Sequence, residues 1–452
     1  MFFYKDRAKS KLTILQELSL FAAFLTIPLF RVGTQLLGSK SLTPAKIFIT
    51  MTMLLWVVNI LKNKDMEAIV RLIKEKANIF ILFFLALTFI SLINTRYFQD
   101  ETVSEILSRL KMVSLFFVIV AVVTDRRILK IAIVAFILGS LLTTGVGMYE
   151  AATGKAFFKE TPGKYGIISG TKTKGLVKTT YGEKGRAQGT YSDPGFHAHA
   201  MVIFFGLAVP WVFYSRSKKM KFIVGLLVIF YVINVIATGA RTGWVSLGAA
   251  LLIFLIFLRH RFKYTLWVLS IATVIAIFLA LSLFPNLPTF ARLQFTKDKS
   301  YDWRLDTNRQ ALEMVRDHPL LGVGTGNYMT EYFNYLSETP KLSRYFMGWL
   351  HNSYLQIWAE NGTIGLLVFC GFFLCVFLGL MTAYLKAADI EMRALSLGLL
   401  TAFTGYAVEF SGVPVLDQEP GWAVLGLSVA LIAIVRREKK EGLGRMEIKW
   451  TI

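Results

Sequence analysis

Apolar stretches long enough to cross a bilayer recur from residue 13 to residue 435. A hydrocarbon core of about 30 Å takes about 20 helical residues. On that measure the pattern predicts twelve spans, at 13–30, 44–61, 78–94, 109–124, 128–150, 197–214, 221–238, 241–258, 264–284, 362–385, 394–411 and 420–435. Several are rich in Phe, Leu, Ile and Val all the way round, as lipid-embedded helices are. The first contains Pro28 and runs into Arg31 with no small-residue cleavage site, so it reads as a retained helix and not a signal peptide. The fold class expected is an all-α polytopic membrane protein of about twelve transmembrane helices, forming one transmembrane domain over 1–452.

The polar intervals set the topology. Lys5, Arg7, Lys9 and Lys11, the 62–76 loop, Arg126 with Arg127, Arg216 with Lys218 and Lys219, Arg259 with Arg261, and the tail from Arg436 alternate onto one side. Short basic loops stay in the cytoplasm, which puts both termini inside. Much of the net charge of +21 is therefore a topology signal and needs no nucleic-acid partner. Of the 452 residues, 55% are hydrophobic and 14% aromatic, which excludes an ordinary soluble domain. Cys370 and Cys375 fall within one span, so they suggest neither a disulfide framework nor a thiolate zinc site.

Two outer loops are too long to be simple connectors. The 151–196 loop carries Lys155, Lys159, Lys164, Lys172, Lys174, Lys178, Lys184 and Arg186. It reads either as a solvated Gly-rich loop or as a basic collar for anionic head groups or glycan. The 285–350 loop, between spans nine and ten, is nearly charge-balanced and looks structured and partly helical. In DWRLDTNRQALEMVRDHP, the residues Trp303, Ala311, Leu312, Met314 and Val315 share roughly one helical face. With Asp302 as cap and Pro319 as stop, the pattern predicts an amphipathic helix along the outer membrane surface. The GVGTGN run at 322–327 reads as a turn, because no strand precedes it and no P-loop lysine follows.

Candidate chemistry gathers at the outer helix ends. Arg241 opens a span entered from outside, where its charge opposes the helix dipole. Together with the free amides of that first turn it suits a phosphate. Arg186 precedes Asp193-Pro194, a cap and first helical residue, and faces the same side as a candidate substrate contact. In HNSYLQIWAENGTIGLL, residues 351–367, His351 and Asn352 start a helix that breaks near Asn361-Gly362. His351 is the candidate proton acceptor. A helix N-terminus favours its neutral form and an anionic substrate the charged form, so the balance is open. Asn352, Gln356 and Glu360 fall on one face. His197 and His199, two apart on a helix, point about 200° away from each other and make a poor metal clamp. A transporter would place its ionisable groups near the midplane, not at the helix ends.

Taken together, TGARTGWVSL, WRLDTNRQALEMVRDHPLLGVGTGNY and HNSYLQIWAENGTIGLL, in that order around a large outer loop, resemble the O-antigen ligase and polymerase superfamily of bacterial envelope glycan transferases. The resemblance covers roughly residues 186–385. It implies a metal-independent, inverting enzyme without cofactors at the outer, periplasmic face of the bacterial inner membrane. The implied donor is a glycan on undecaprenyl pyrophosphate, and the implied acceptor is a lipid A core sugar or a second lipid-linked glycan. Carried over by motif, His351 is the general base and Arg241 and Arg304 hold the pyrophosphate. Arg186, Asn352 and Arg309 are further candidate contacts. The long basic 151–196 loop exceeds what a minimal ligase needs, and polymerases also use Arg-rich outer loops, so ligase and polymerase both remain open.

Overall fold

The structure is a computed structural model that describes residues 10–30, 43–64, 69, 72–73, 75–96, 99–158, 186–258, 299–335 and 350–440. Among these residues all regular structure is helical. The helices are α1 (Lys11–Thr26), α2 (Pro44–Asn63), α3 (Lys76–Ile90), α4 (Asp100–Val122), α5 (Arg126–Thr153), α6 (Pro194–Tyr214), α7 (Lys218–Ala237), α8 (Arg241–Leu258), α9 (Lys299–Asp317), α10 (Tyr328–Tyr332), α11 (Ser353–Lys386), α12 (Ile390–Glu409) and α13 (Glu419–Lys440). A 3-10 turn, Ser91–Asn94, extends α3.

Eight of the described helical segments are long and apolar enough to cross a membrane, so the chain is a multi-pass membrane protein. Twelve were expected, and the difference has physical causes. The span expected at 264–284 lies outside the described residues. Helix α1 has only 16 residues. Helix α4 carries Asp100, Glu101, Glu105, Arg109 and Lys111. Helix α12 carries Glu391, Arg393 and Glu409, and it packs on α6, α8, α11 and α13. Enclosed in protein on several sides, α12 does not need the all-round apolarity that lipid contact demands.

Caps fix the helix starts. Asp125 accepts from the Ile128 amide at 2.9 Å and Asp389 from the Met392 amide at 2.8 Å. Both sit at one end of the bundle, where Arg126 pairs with Asp389 and Glu438, and Arg436 with Glu75 at 2.8 Å. The starts of α3 and α5 and the end of α13, which the basic-loop pattern groups on one side, thus meet there, together with the start of α12.

At the opposite end α11 breaks. Gly362 takes φ 67°, ψ −174°, so Thr363 and Ile364 cannot donate to the carbonyls four residues back. The Thr363 amide donates to Pro319 O at 2.8 Å instead. The freed Ala359 and Glu360 carbonyls accept from Val323 at 2.9 Å and Gly324 at 3.0 Å. The GVGTGN segment is therefore a turn, as expected, and it plugs the break. Its Gly322, Gly324 and Gly326 all have positive φ, a conformation that side chains resist. Thr325 donates its amide to Ser91 Oγ at 3.2 Å and its hydroxyl to Thr88 O at 3.1 Å, which ties the turn to α3. Beneath it the buried Arg109 of α4 pairs with Glu360 and donates to Asn361 Oδ1 at 2.7 Å.

Helix α9 begins at Lys299, so Asp302 lies inside the helix and does not cap it, while the stop before Pro319 is found. Its apolar stripe is spent on protein. Ala311, Met314 and Val315 pack with Tyr328, Tyr332, Leu350, Leu355 and Ala359, while Leu312 and Leu305 are exposed. Of the apolar face expected to lie along the outer membrane surface, Ala311, Met314 and Val315 are thus covered by protein, and Leu312 is not. A Tyr328 hydroxyl bond to Thr307 O at 3.0 Å clips α10 to α9. The rest of the 285–350 loop, and residues 159–185 of the basic loop with most of its lysines, lie outside the described residues.

Candidate functional site

The turn from Glu409 to Val413, just past α12, is the hub of the site. On one side the Ser353 amide donates to Phe410 O at 2.8 Å, Ser353 Oγ donates to Val413 O at 3.1 Å, and the Tyr354 hydroxyl donates to Ala407 O at 2.8 Å. These bonds pin the first turn of α11 and the residue before its cap, His351. Asn352 is the cap itself: its side chain accepts from the Leu355 amide at 3.0 Å. The helix therefore starts at Ser353, two residues later than the expected start at His351.

On the other side of the hub stands the first turn of α8, which Arg241 opens. A Cβ placed on Gly243 would lie 3.6 Å from Glu409 Oε1, and Ser246 stands beside the same carboxylate. Gly412 lies against the Thr242 side chain. The α7–α8 turn is tight, with the Ala240 amide donating to Thr238 Oγ1 at 3.1 Å. Arg186 joins this corner through a bond from its Nε to Thr238 O at 2.7 Å. Its backbone is held there as well. The Ala187 amide donates to Ala237 O at 3.1 Å, and Glu150, at the end of α5, accepts from Gln188 at 2.7 Å and Gly189 at 2.8 Å.

Arg304 of α9 links the two sides, because its guanidinium acts electrostatically on both His351 and Glu409. Burial, and then the Arg304 charge, push the His351 imidazole down to about 3. The balance that the sequence leaves open thus falls, in these surroundings, to the neutral form. A neutral imidazole at neutral pH can accept a proton.

The structure thus gathers Arg241, Arg304 and His351 around one turn and sets Arg186 at its edge. It does not bring in Arg309. That side chain is 75% exposed and pairs with Glu313 at 3.5 Å. Five residues on from Arg304, it points about 140° round the helix. Of the expected Asn352, Gln356 and Glu360 face, Asn352 caps, while Gln356 donates to Glu360 Oε1 at 3.4 Å and Glu360 holds Arg109. That face supports the helix break.

Glu409 is the member that sequence reasoning did not assign. It is fully buried, and its one signal in the sequence is a carboxylate closing an otherwise apolar span. His197 and His199 point apart, as expected. His197 Nε2 pairs with Asn234 Oδ1 at 2.9 Å, and His199 packs on the Tyr406 ring with centroids 5.1 Å apart.

No curated protein matches the chain. Residues 225–370, a stretch that contains Arg241, Arg304 and His351 and ends inside α11, match the family model described as O-antigen ligase, so over this stretch the chain is similar to that family.

Proposed function

We propose that the chain transfers a glycan from undecaprenyl pyrophosphate to a sugar hydroxyl at the outer, periplasmic face of the inner membrane, with both termini cytoplasmic. A ligase-type, en bloc transfer to lipid A core is the leading form of the reaction. Polymerisation onto a second lipid-linked glycan is the alternative, favoured by the long basic loop at 151–196.

In this reading the acceptor hydroxyl gives its proton to His351 as its oxygen attacks the anomeric carbon. The new C–O bond forms on the face opposite the leaving group, and the bond from that carbon to the pyrophosphate oxygen breaks, which inverts the centre. The pyrophosphate leaves with the electron pair, and its growing charge falls to Arg241 and Arg304. Fixed guanidinium groups suit that task because they stay charged and donate in a planar fork. Arg186 is a further candidate donor at the same corner. No metal and no cofactor is invoked.

One observation carries the reading. Arg304 acts on both His351 and the hub that seats the Arg241 turn, so a base and an anion-holding cation share one electrostatic neighbourhood. An arriving pyrophosphate would offset the Arg304 charge and make the imidazole a better base when the donor is bound.

The test is transfer by purified protein in detergent from a defined lipid-linked donor, with either core lipid or a second lipid-linked glycan as acceptor. Product on core lipid supports ligase, and lengthened lipid-linked glycan supports polymerase. The absence of product with both would sink the reading. Detergent solution has no second compartment, so turnover there also excludes transport as the sole activity.

A further inference from the structure

The connection that carries the His351 hub on one side carries a second feature farther along. Residues 409–413 face α11 and α8, while Asp417, Gln418 and Glu419 border a cavity of about 60 Å³. Lys46 of α2, Lys111 of α4 and Tyr191, from the turn before α6, complete its polar lining, with Ile27, Phe30, Met112 and Pro420 as its apolar part. A volume of that size holds about four to six waters, or the hydroxyl edge of one sugar ring. Lys111 is exposed, so the cavity reaches the surface.

Two properties define what it could take. First, its lining is of mixed sign: Lys46 and Lys111 stand with Asp417 and Glu419, whose carboxyls burial pushes up while the lysine charges pull them down. Such a lining sets donors and acceptors side by side, and its two acidic groups oppose an anion, which suits a polyhydroxylated neutral group better than a pyrophosphate. Second, Tyr191 is 3% exposed, yet its hydroxyl has no hydrogen-bond partner, and Asp417, whose carboxyl is held by Ser108 and Glu105, keeps its Oδ1 without one. A buried hydroxyl without a partner is costly, so such atoms point to a ligand or ordered water that completes them.

We propose that this cavity is a binding subsite for an uncharged sugar unit, separate from the cation-rich cluster around His351. Its place in transfer, as the seat of a unit of donor or acceptor glycan, rests on the proposed function. The chemistry of the cavity itself does not.

The probes are glucose, galactose and N-acetylglucosamine, each added singly to the full-length protein in detergent and followed by saturation-transfer NMR. At least one should give a saturable signal that His351→Ala and added pyrophosphate leave unchanged. Tyr191→Phe and Asp417→Asn should each weaken that binding about tenfold. The thermal midpoint of Tyr191→Phe should not fall, since the lost hydroxyl bonds no protein atom. If none of the three sugars binds, if binding is unchanged in both variants, or if pyrophosphate displaces the sugar, the subsite is refuted.

Steady-state transfer then names the source of the sugar. A raised KM for donor in Tyr191→Phe assigns the unit to the donor glycan, and a raised KM for acceptor assigns it to the acceptor. If wild-type protein shows no transfer while sugar binding and its Tyr191 dependence persist, the transfer reading fails and the subsite stands. If transfer proceeds and neither KM moves, the place of the subsite in transfer is refuted and the transfer reading stands.

Discussion

The Ser353 amide donates to the Phe410 carbonyl at 2.8 Å, joining the start of α11 to the C-terminal end of α12 across 57 residues of sequence (410 − 353). This bond sets His351 beside the hub on which the α8 turn also rests. Position is thus imposed on His351 by backbone contacts that a change of its own side chain leaves intact. His351→Ala should lower kcat by about 10² to 10⁴, the usual contribution of a general base, while donor binding and the thermal midpoint stay near wild type. Turnover close to wild type in that variant would remove His351 from the base role.

Arg304 should act in two ways at once. As an anion holder its loss should cost about 3 kcal/mol of barrier, or roughly 100-fold in rate, by analogy with losing one oxyanion donor. As a neighbour of His351 it also sets the protonation of the base. The imidazole sits at about 3 because of burial and the Arg304 charge, so taking that charge away favours the imidazolium and raises the value. In Arg304→Gln the acid limb of kcat/KM, which reports the free enzyme, should therefore move to higher pH. In wild type the limb of kcat should lie above that of kcat/KM, because the bound pyrophosphate offsets the same charge. Arg309→Ala is the control on the same helix, and its rate should stay within about twofold, as for an exposed ion pair. If the two arginine variants have superimposable pH profiles, Arg304 does not tune His351.

How far the sequence foretells this site depends on the range of each interaction. Arg241 and His351 are legible because each sits where the local pattern changes from loop to helix, whereas Arg304 is singled out only by the resemblance that its motif carries. The kink at Gly362 is legible too, as an Asn-Gly pair inside an apolar run. Glu409 is not, since only the packing of α8 on α12 brings Gly243 and Ser246 to it. Arg109 and Glu360 stand 251 residues apart, and neither looks paired in isolation. The stripe on α9 is visible as a stripe, but periodicity cannot say whether lipid or α11 will cover it. The number of spans suffers likewise, because a helix shielded by its neighbours, such as α12, need not be uniformly apolar.

The buried pair makes its own prediction. Arg109 and Glu360 are each 2% exposed, so removing one partner strands a charge. Arg109→Met or Glu360→Leu alone should destabilise by about 3–5 kcal/mol, and the double variant should recover much of that loss. Thermal midpoints of the three proteins in one detergent measure this, and additive losses would show that the two side chains do not act as a pair.

The helix break offers the sharpest test of how fold and site are connected. At Gly362 a side chain would meet a positive φ and would also run into the Leu320 backbone. Positive φ with ψ −174° is a region essentially reserved for glycine, costing about 1–3 kcal/mol for a side chain, and the clash with backbone adds to it, because no flexible side chain can yield. Gly362→Ala should therefore lower the thermal midpoint. It should also loosen the exchange by which Val323 and Gly324 cap the freed carbonyls of α11, and with it the seating of α9, the helix that carries Arg304. Hydrogen exchange at the Val323 and Gly324 amides should quicken, and donor KM should rise while the His351 environment, pinned separately through Ser353 to Phe410, keeps its own protection. If exchange quickens equally at Ser353, the two anchors are not independent and the break is not a local support for Arg304.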